Sequence, residues 1–322
     1  MAKLAKFLQG VAGAAGGASL NVEEVFSTYL YTGNGTGQTI TNGIDLASDG
    51  GLVWAKSRSG TRNHILSDTE RGTGQVLFSN LTNANDLDST TITSYNSDGF
   101  TMGSSTFKMN TSGEDFASWT FRKAPKFFDV VTYTGDGTSS RNISHNLGTT
   151  VGFIIIKSSS YITNWSCYHR ELSDPRTYIE LNKTDAQSSD TSFFPTAPTD
   201  TQFTVGSDGS INGSGRTYVA YLFAHNEDLI QCGSFSGNDA TVNVDLGWQP
   251  QFIIAKGSNA ASNWHMYDNE RGAGAYLLAD SSGQEFTDSS PDIVFNSTGF
   301  DASGNFGISG RDYIYMAIKA ED

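Results

Sequence analysis

The sequence predicts an all-β protein: three tandem related β-sandwich or jelly-roll-like units preceded by a short N-terminal arm. Three observations carry that prediction. The first is an internal repeat at a spacing of about 100 residues, a self-similarity that sets the architecture before any motif is weighed. The second is composition. Of 322 residues, 12% are aromatic and 17% charged, with 35 Gly and only 6 Pro. A charged share below the usual ~25%, in a chain rich in Ser, Thr and Asn, fits strands joined by polar, glycine-bearing turns. The aromatic content excludes a disordered chain. The third is that, after residue 30, the apolar stretches are short and β-branched or alternating, and none keeps a helical period.

The repeat holds over long stretches. Unit one carries YTGNGTG from Tyr31 and GLVWAKSRSGTRNHILSDTERG from Gly51. Unit two carries YTGDGTS from Tyr133 and GFIIIKSSSYITNWSCYHRELS from Gly152. Unit three carries FSGNDAT from Phe235 and QFIIAKGSNAASNWHMYDNERG from Gln251. With Lys56, Lys157 and Lys256 aligned, Asn63, Asn164 and Asn263 follow seven residues later. Asp68, His169 and Asp268 come twelve later, Glu70, Glu171 and Glu270 fourteen later, and Arg71, Leu172 and Arg271 fifteen later. Each unit closes on a β-like run: FASWTF at 116–121, YVAYLF at 218–223 and YIYMAI at 313–318.

These landmarks divide the chain into an arm at 1–30 and units at 31–124, 125–225 and 226–322. Each unit is about 95 residues, the size of an independent domain. The joining segments, RKAPKFFD at 122–129 and AHNEDLIQ at 224–231, are so short that units packed on one another are expected rather than separate beads. A linear stack and a compact ring both fit.

Taken in order, the arm places Leu4, Phe7, Leu8 and Val11 on one side of an amphipathic helix over Ala2–Ala15, suited to docking on a partner. Gln9 and four glycines interrupt what would otherwise resemble a signal core. GLVWAK, GFIIIK and QFIIAK read as central strands whose lysine ends reach solvent. In the closing run of unit two, Tyr218, Ala220 and Leu222 alternate with Val219, Tyr221 and Phe223. Both faces are apolar, which predicts burial between layers. NSDGF at 96–100 and NSTGF at 296–300 are turns into strands.

Charge and motif content exclude several functions. A net charge of −14 with no basic block argues against nucleic-acid partners. No apolar run approaches the ~18 residues of a membrane helix, so no membrane insertion is expected. Cys167 and Cys232 are too few for a disulfide framework, and two free thiols are the simpler reading. The five histidines lack ligand spacing, the acidic turns do not match a calcium loop, and no phosphate loop or nucleophile elbow is present. No metal, cofactor or catalytic residue is assigned, and the chain is not expected to be an enzyme.

The repeated polar cluster comprises Asn63, Asp68, Glu70 and Arg71; Asn164, His169 and Glu171; and Asn263, Asp268, Glu270 and Arg271. An acid–base pair would need carboxylates on opposite sides of a substrate. Here the two acids are two residues apart and occur in near-equal copies. That suits a structural network in which arginine bridges a carboxylate and Asn or Asp pins a turn. Trp165 and Trp264 occupy one equivalent place, held in unit one by His64. Facing solvent, these rings would stack on sugars; facing inward, they would be core or subunit interface. Trp54, Trp119 and Trp248 read as core.

The pattern Val53–Gly60, His64–Gly72, Tyr95–Phe100 and Phe116–Ala124, with its counterparts FIIAKGSN and HMYDNERG in unit three, resembles a repeat of structural proteins of marine tailed bacteriophages. Those proteins are described as tail-fibre-like, lectin-like or of unknown function. The resemblance spans about residues 31–320. Unit two departs from it at Leu172 and in an insert around Pro195 and Pro198. It implies a virion component, such as a tail fibre, tail adaptor or capsid decoration, bound through its arm to capsid, portal or tail proteins. It also implies homo-oligomers, trimers among them. A carbohydrate-binding host-attachment module is the alternative, recognising a host surface glycan. A polysaccharide depolymerase is a third reading and would need carboxylates from different strands around one cleft.

Overall fold

The computed structural model describes residues 20–104 and 108–321. The arm assigned to 1–30 lies outside it up to residue 19. From there the chain is already part of the fold. A short 3-10 turn at Val22–Glu24 leads into a strand at Phe26–Thr32, so the first unit starts before Tyr31. Among the described residues the only helices are this turn and a second 3-10 turn at Gly304–Phe306. Among the described residues no helix is long and apolar enough to cross a membrane.

Each unit is built on an antiparallel sheet with the same order of strands. An opening strand (Phe26–Thr32, Phe128–Thr134, Ile230–Ser236) pairs with the closing strand (Asp115–Arg122, Thr217–Ala224, Asp312–Lys319). The closing strand pairs in turn with an inner strand (Gly51–Ser57, Val151–Ser158, Pro250–Gly257). The inner strand pairs with a short outer strand (Ile65–Asp68, Ser166–His169, His265–Asp268). A smaller sheet lies across one face. It has three strands in unit one (Gln38–Thr41, Gly99–Met102, Ile92–Asn96) and in unit three (Val242–Asp245, Gly299–Ala302, Ile293–Asn296). Unit two has two, Arg141–Ser144 and Gln202–Val205. Its third strand would run through Pro195 and Pro198, which carry no N–H for a ladder.

Apolar residues on both faces of the closing strands follow from this layering. One face packs on the small sheet: Val53, Ala55, Ile40, Phe100 and Met102 form such a core in unit one, and Ile253, Ala255, Val244 and Phe300 in unit three. The other faces of all three large sheets meet in a common core. Phe26, Phe121, Phe128, Phe153, Phe223 and Phe252 pack there with ring centroids about 5–6 Å apart. This burial is the largest source of stability, since each aromatic removes 150–250 Å² from water at roughly 25 cal/mol per Å².

Each unit touches both others, so the contacts close a ring. Three backbone hydrogen bonds mark it: Asn85 N–H to Ser159 O, Gln187 N–H to Ser258 O and Glu285 N–H to Arg58 O. Donors and acceptors fall at corresponding positions of the repeat. The apolar faces left by one unit are covered by sister units of the same chain.

Candidate functional site

The repeated polar residues converge on the three seams between units. His64, Trp165 and Trp264 sit at the start of the outer strands and are fully or almost fully buried. Their ring N–H groups cross to the neighbouring unit. Trp165 Nε1 donates to Phe78 O at 2.9 Å, Trp264 Nε1 to Glu180 O at 3.0 Å, and His64 Nε2 to Leu278 O at 2.9 Å. The three carbonyls occupy one repeat position. A solvent-facing sugar platform at these rings is therefore corrected: each ring is buried, and its polar edge bonds a carbonyl of the neighbouring unit.

Asn63 and Asn164 accept from the amides of Asn80 and Asn182 at 2.8 and 3.0 Å. Asn80, Asn182 and Asp280 each accept the backbone N–H of the His64, Trp165 or Trp264 position. Asn263 occupies the same turn ahead of Trp264. Burial pushes the Asp280 carboxyl up to about 6.

At the other end of each outer strand the acids lie across from a neighbour's closing strand. Asp68 Oδ2 accepts from Arg71 Nε at 2.6 Å and from Tyr221 Oη of unit two at 2.8 Å. Asp268 Oδ2 accepts from Arg271 Nε at 2.6 Å and from Trp119 Nε1 of unit one at 3.0 Å. A turn with Gly72 (φ +88°) or Gly272 (φ +84°) in the left-handed region follows each of these arginines. The third position breaks the pattern for a physical reason. Trp119 and Tyr221 correspond to Met316, which has no donor. A buried aspartate there would go unsatisfied. The chain instead has His169, whose Nε2 bonds Tyr315 O at 3.0 Å. Arg71 and Arg271 have no counterpart, and Leu172 fills the space.

The glutamates are separate from this network. Glu70, Glu171 and Glu270 are all exposed. Glu70 pairs with Lys123, and Glu171 with Arg170. The aspartates are buried and the glutamates are exposed. Among the described residues no group of His, Cys, Asp or Glu is placed to hold a metal ion. Cys167 and Cys232 are free and buried.

The inner-strand lysines do not reach solvent. Lys56, Lys157 and Lys256 are buried and donate to backbone carbonyls, and those of units two and three reach across a seam. Lys157 Nζ bonds Thr82 O of unit one at 3.2 Å, and Lys256 Nζ bonds Lys183 O of unit two at 3.1 Å. Lys56 Nζ bonds Ser57 O at 2.6 Å. Burial pulls Lys157 down to about 7, and Lys56 and Lys256 to about 8. The histidines are likewise wired in the neutral form. His64 Nδ1 accepts from Trp54 Nε1 at 2.9 Å, and His169 Nδ1 accepts from Glu171 N–H at 3.3 Å. Burial holds His64 well below its usual range and His169 at about 3.

Clefts open at both ends of the ring. At one end residues 20–23, both linkers and residues 319–321 line a cleft of about 1830 Å³. Glu23, Glu227, Asp228, Asp245 and Glu321 make it acidic against Lys126 and Lys319. The inner strands run away from this end to the loops after Ser57, Ser158 and Gly257. In the second unit that distal loop exposes Tyr161 (52%) and Ile162 (69%). Beside it is a cleft of about 410 Å³ lined by Thr82, Ile162, Asn164, Asp208, Ser210 and Arg216. Sequence reasoning passed over this loop. The signal was present: SGTRN and NAASN are the other two copies, and only SYITN carries two bulky apolar residues.

The family described as a domain of unknown function, DUF7483, matches residues 22–322. None of the curated proteins matches the chain.

Proposed function

We propose that this chain, which belongs to the DUF7483 family, is a non-enzymatic structural component of a bacteriophage virion. In this reading it is a tail fibre, tail adaptor or capsid appendage, attached through the residues before 20. The observation that carries the proposal is the polarity of the ring. Residues 20–23, both linkers and residues 319–321 share one end, and the loops after the inner strands share the other. A body of this kind is anchored at one end and presents the other. The phage assignment draws on the repeat pattern quoted above. Two further observations favour display over catalysis: the repeated polar residues are spent on bonds within and between units, and the three glutamates stand apart from the buried acids. Symmetric association of copies on the particle belongs to the same proposal.

Deleting residues 1–19 tests the anchor. The truncated chain keeps every described strand, so its circular dichroism and thermal midpoint should match those of the full chain. Its incorporation into particles, read by mass spectrometry of purified virions, should be lost. Undiminished incorporation would refute attachment through the arm.

The second reading, host recognition through a surface glycan, is favoured by the exposed loop and cleft of unit two. It attaches to Tyr161, Ile162 and Arg216 rather than to the buried tryptophans.

A further inference from the structure

We infer that the distal cleft of the second unit takes a carboxylated sugar, with the Arg216 guanidinium receiving its carboxylate. The inference deepens the host-recognition reading and rests on it for the origin of the ligand. Its physical basis is a comparison between copies. In unit one the residue before the closing strand is Glu114, and the loop residue facing it is Arg62. The two close on each other, with Arg62 Nη2 2.6 Å from Glu114 Oε1. Ser57 Oγ adds a bond to the same carboxylate at 2.9 Å. Unit one thus fills this place with its own ion pair.

In unit two the corresponding residues are Arg216 and Thr163. Among the described residues no carboxylate lies within ion-pairing distance of Arg216, so the cation stands without the anion that its sister copy supplies. The guanidinium is nonetheless held in place. It lies over the Tyr161 ring, with Cζ 3.7 Å from the centroid, and Nη1 donates to Gly209 O at 2.9 Å. A planar, pre-positioned guanidinium is the preferred partner of a carboxylate. The surrounding wall supplies hydroxyl-matching groups. Asp208 accepts the Ser210 N–H through Oδ1 at 2.7 Å, and Asn164 and Thr163 flank it. Ile162 provides the apolar patch on which the C–H face of a pyranose ring rests. The cleft volume of about 410 Å³ suits one or two sugar rings rather than a protein face. Unit three provides an internal control. Its equivalent residue, Arg311, has Ala260 and Ala261 in the loop and no ring beneath it.

The test is a titration of the full chain with sodium glucuronate, glucose and sodium acetate, followed by ligand-observed saturation-transfer NMR. Glucuronate should bind with a Kd of about 1 mM, and glucose and acetate at least about tenfold more weakly. Arg216→Gln should weaken glucuronate binding by about tenfold or more, and Tyr161→Ala by several-fold, because the guanidinium loses its support. Arg311→Gln should leave binding unchanged. Thermal midpoints of all three variants should stay at the parent value, since these side chains lie at the surface. No glucuronate binding at about 20 mM, or binding undiminished in Arg216→Gln, overturns the inference. Acetate binding as tightly as glucuronate overturns the sugar assignment. Failure of this titration leaves the particle assignment standing, since incorporation is measured separately.

Discussion

Asp268→Asn is expected to lower stability by about 3–5 kcal/mol, the cost of leaving a buried charge without its partner. Glu270→Gln, two residues along the same chain, should change it by no more than about 0.5 kcal/mol. The contrast follows from where the side chains go. The Asp268 carboxylate accepts Arg271 Nε at 2.6 Å, the Arg271 backbone N–H at 2.9 Å and Trp119 Nε1 at 3.0 Å. The Arg271 side chain is fully buried and lies over the Trp119 ring of another unit. Glu285 stands 3.6 Å away, but it already forks to Arg58. Neutralising Asp268 therefore strands a guanidinium at the seam between units one and three. Glu270 is exposed and loses nothing of the kind. Urea unfolding of both variants measures the difference. Equal effects would show that the seam does not hold the units together.

Acid should destabilise the protein steeply below pH 6.5. In the unfolded chain a histidine takes up a proton near pH 6.5. Folded, His169 does so only at about 3, and His64 well below its usual range. In both, Nδ1 accepts an N–H, so a proton there would set two donors against each other. The unfolded state thus binds more protons through this interval, and stability falls as pH falls. It is fully present above about pH 6.5; His169 removes about 2 kcal/mol by pH 5, and His64 acts in the same direction. His265, held at about 4, acts in the same direction. Asp280, raised to about 6, opposes them between about pH 6 and its unfolded value of 3.8. Since whole domains are stable by only about 5–15 kcal/mol, the combined loss is large. Unfolding midpoints at pH 7, 6 and 5 read it directly. His169→Gln keeps a neutral donor and should flatten the dependence.

The strands were legible because their signals are local. The period-two closing runs, the glycine turns and the lysine-anchored central strands all correspond to elements of the fold. The three-way seam was not legible, because its bonds join residues about 85 to 215 positions apart. Lys56, Lys157 and Lys256 illustrate the limit. A lysine ending an apolar strand ordinarily marks solvent, yet here loop carbonyls take the ammonium, joined at Lys157 and Lys256 by a carbonyl of the neighbouring unit. The unit-two exception was visible as His169 and Leu172, but its cause, Met316, lies in a different unit. At the candidate site, comparison of three loops would have singled out Tyr161 and Ile162. Finding Arg216 required the fold, because it reaches the loop from the start of the closing strand.

Electron cryo-microscopy of purified virions tests the central claim most directly. The account predicts density for this chain with its linker end, at Pro125, Asn226 and Lys319, turned toward the particle. The loop at Tyr161 and Ile162 should project outward. A chain missing from the particle, or one whose Tyr161 end is buried against a neighbouring virion protein, would contradict it.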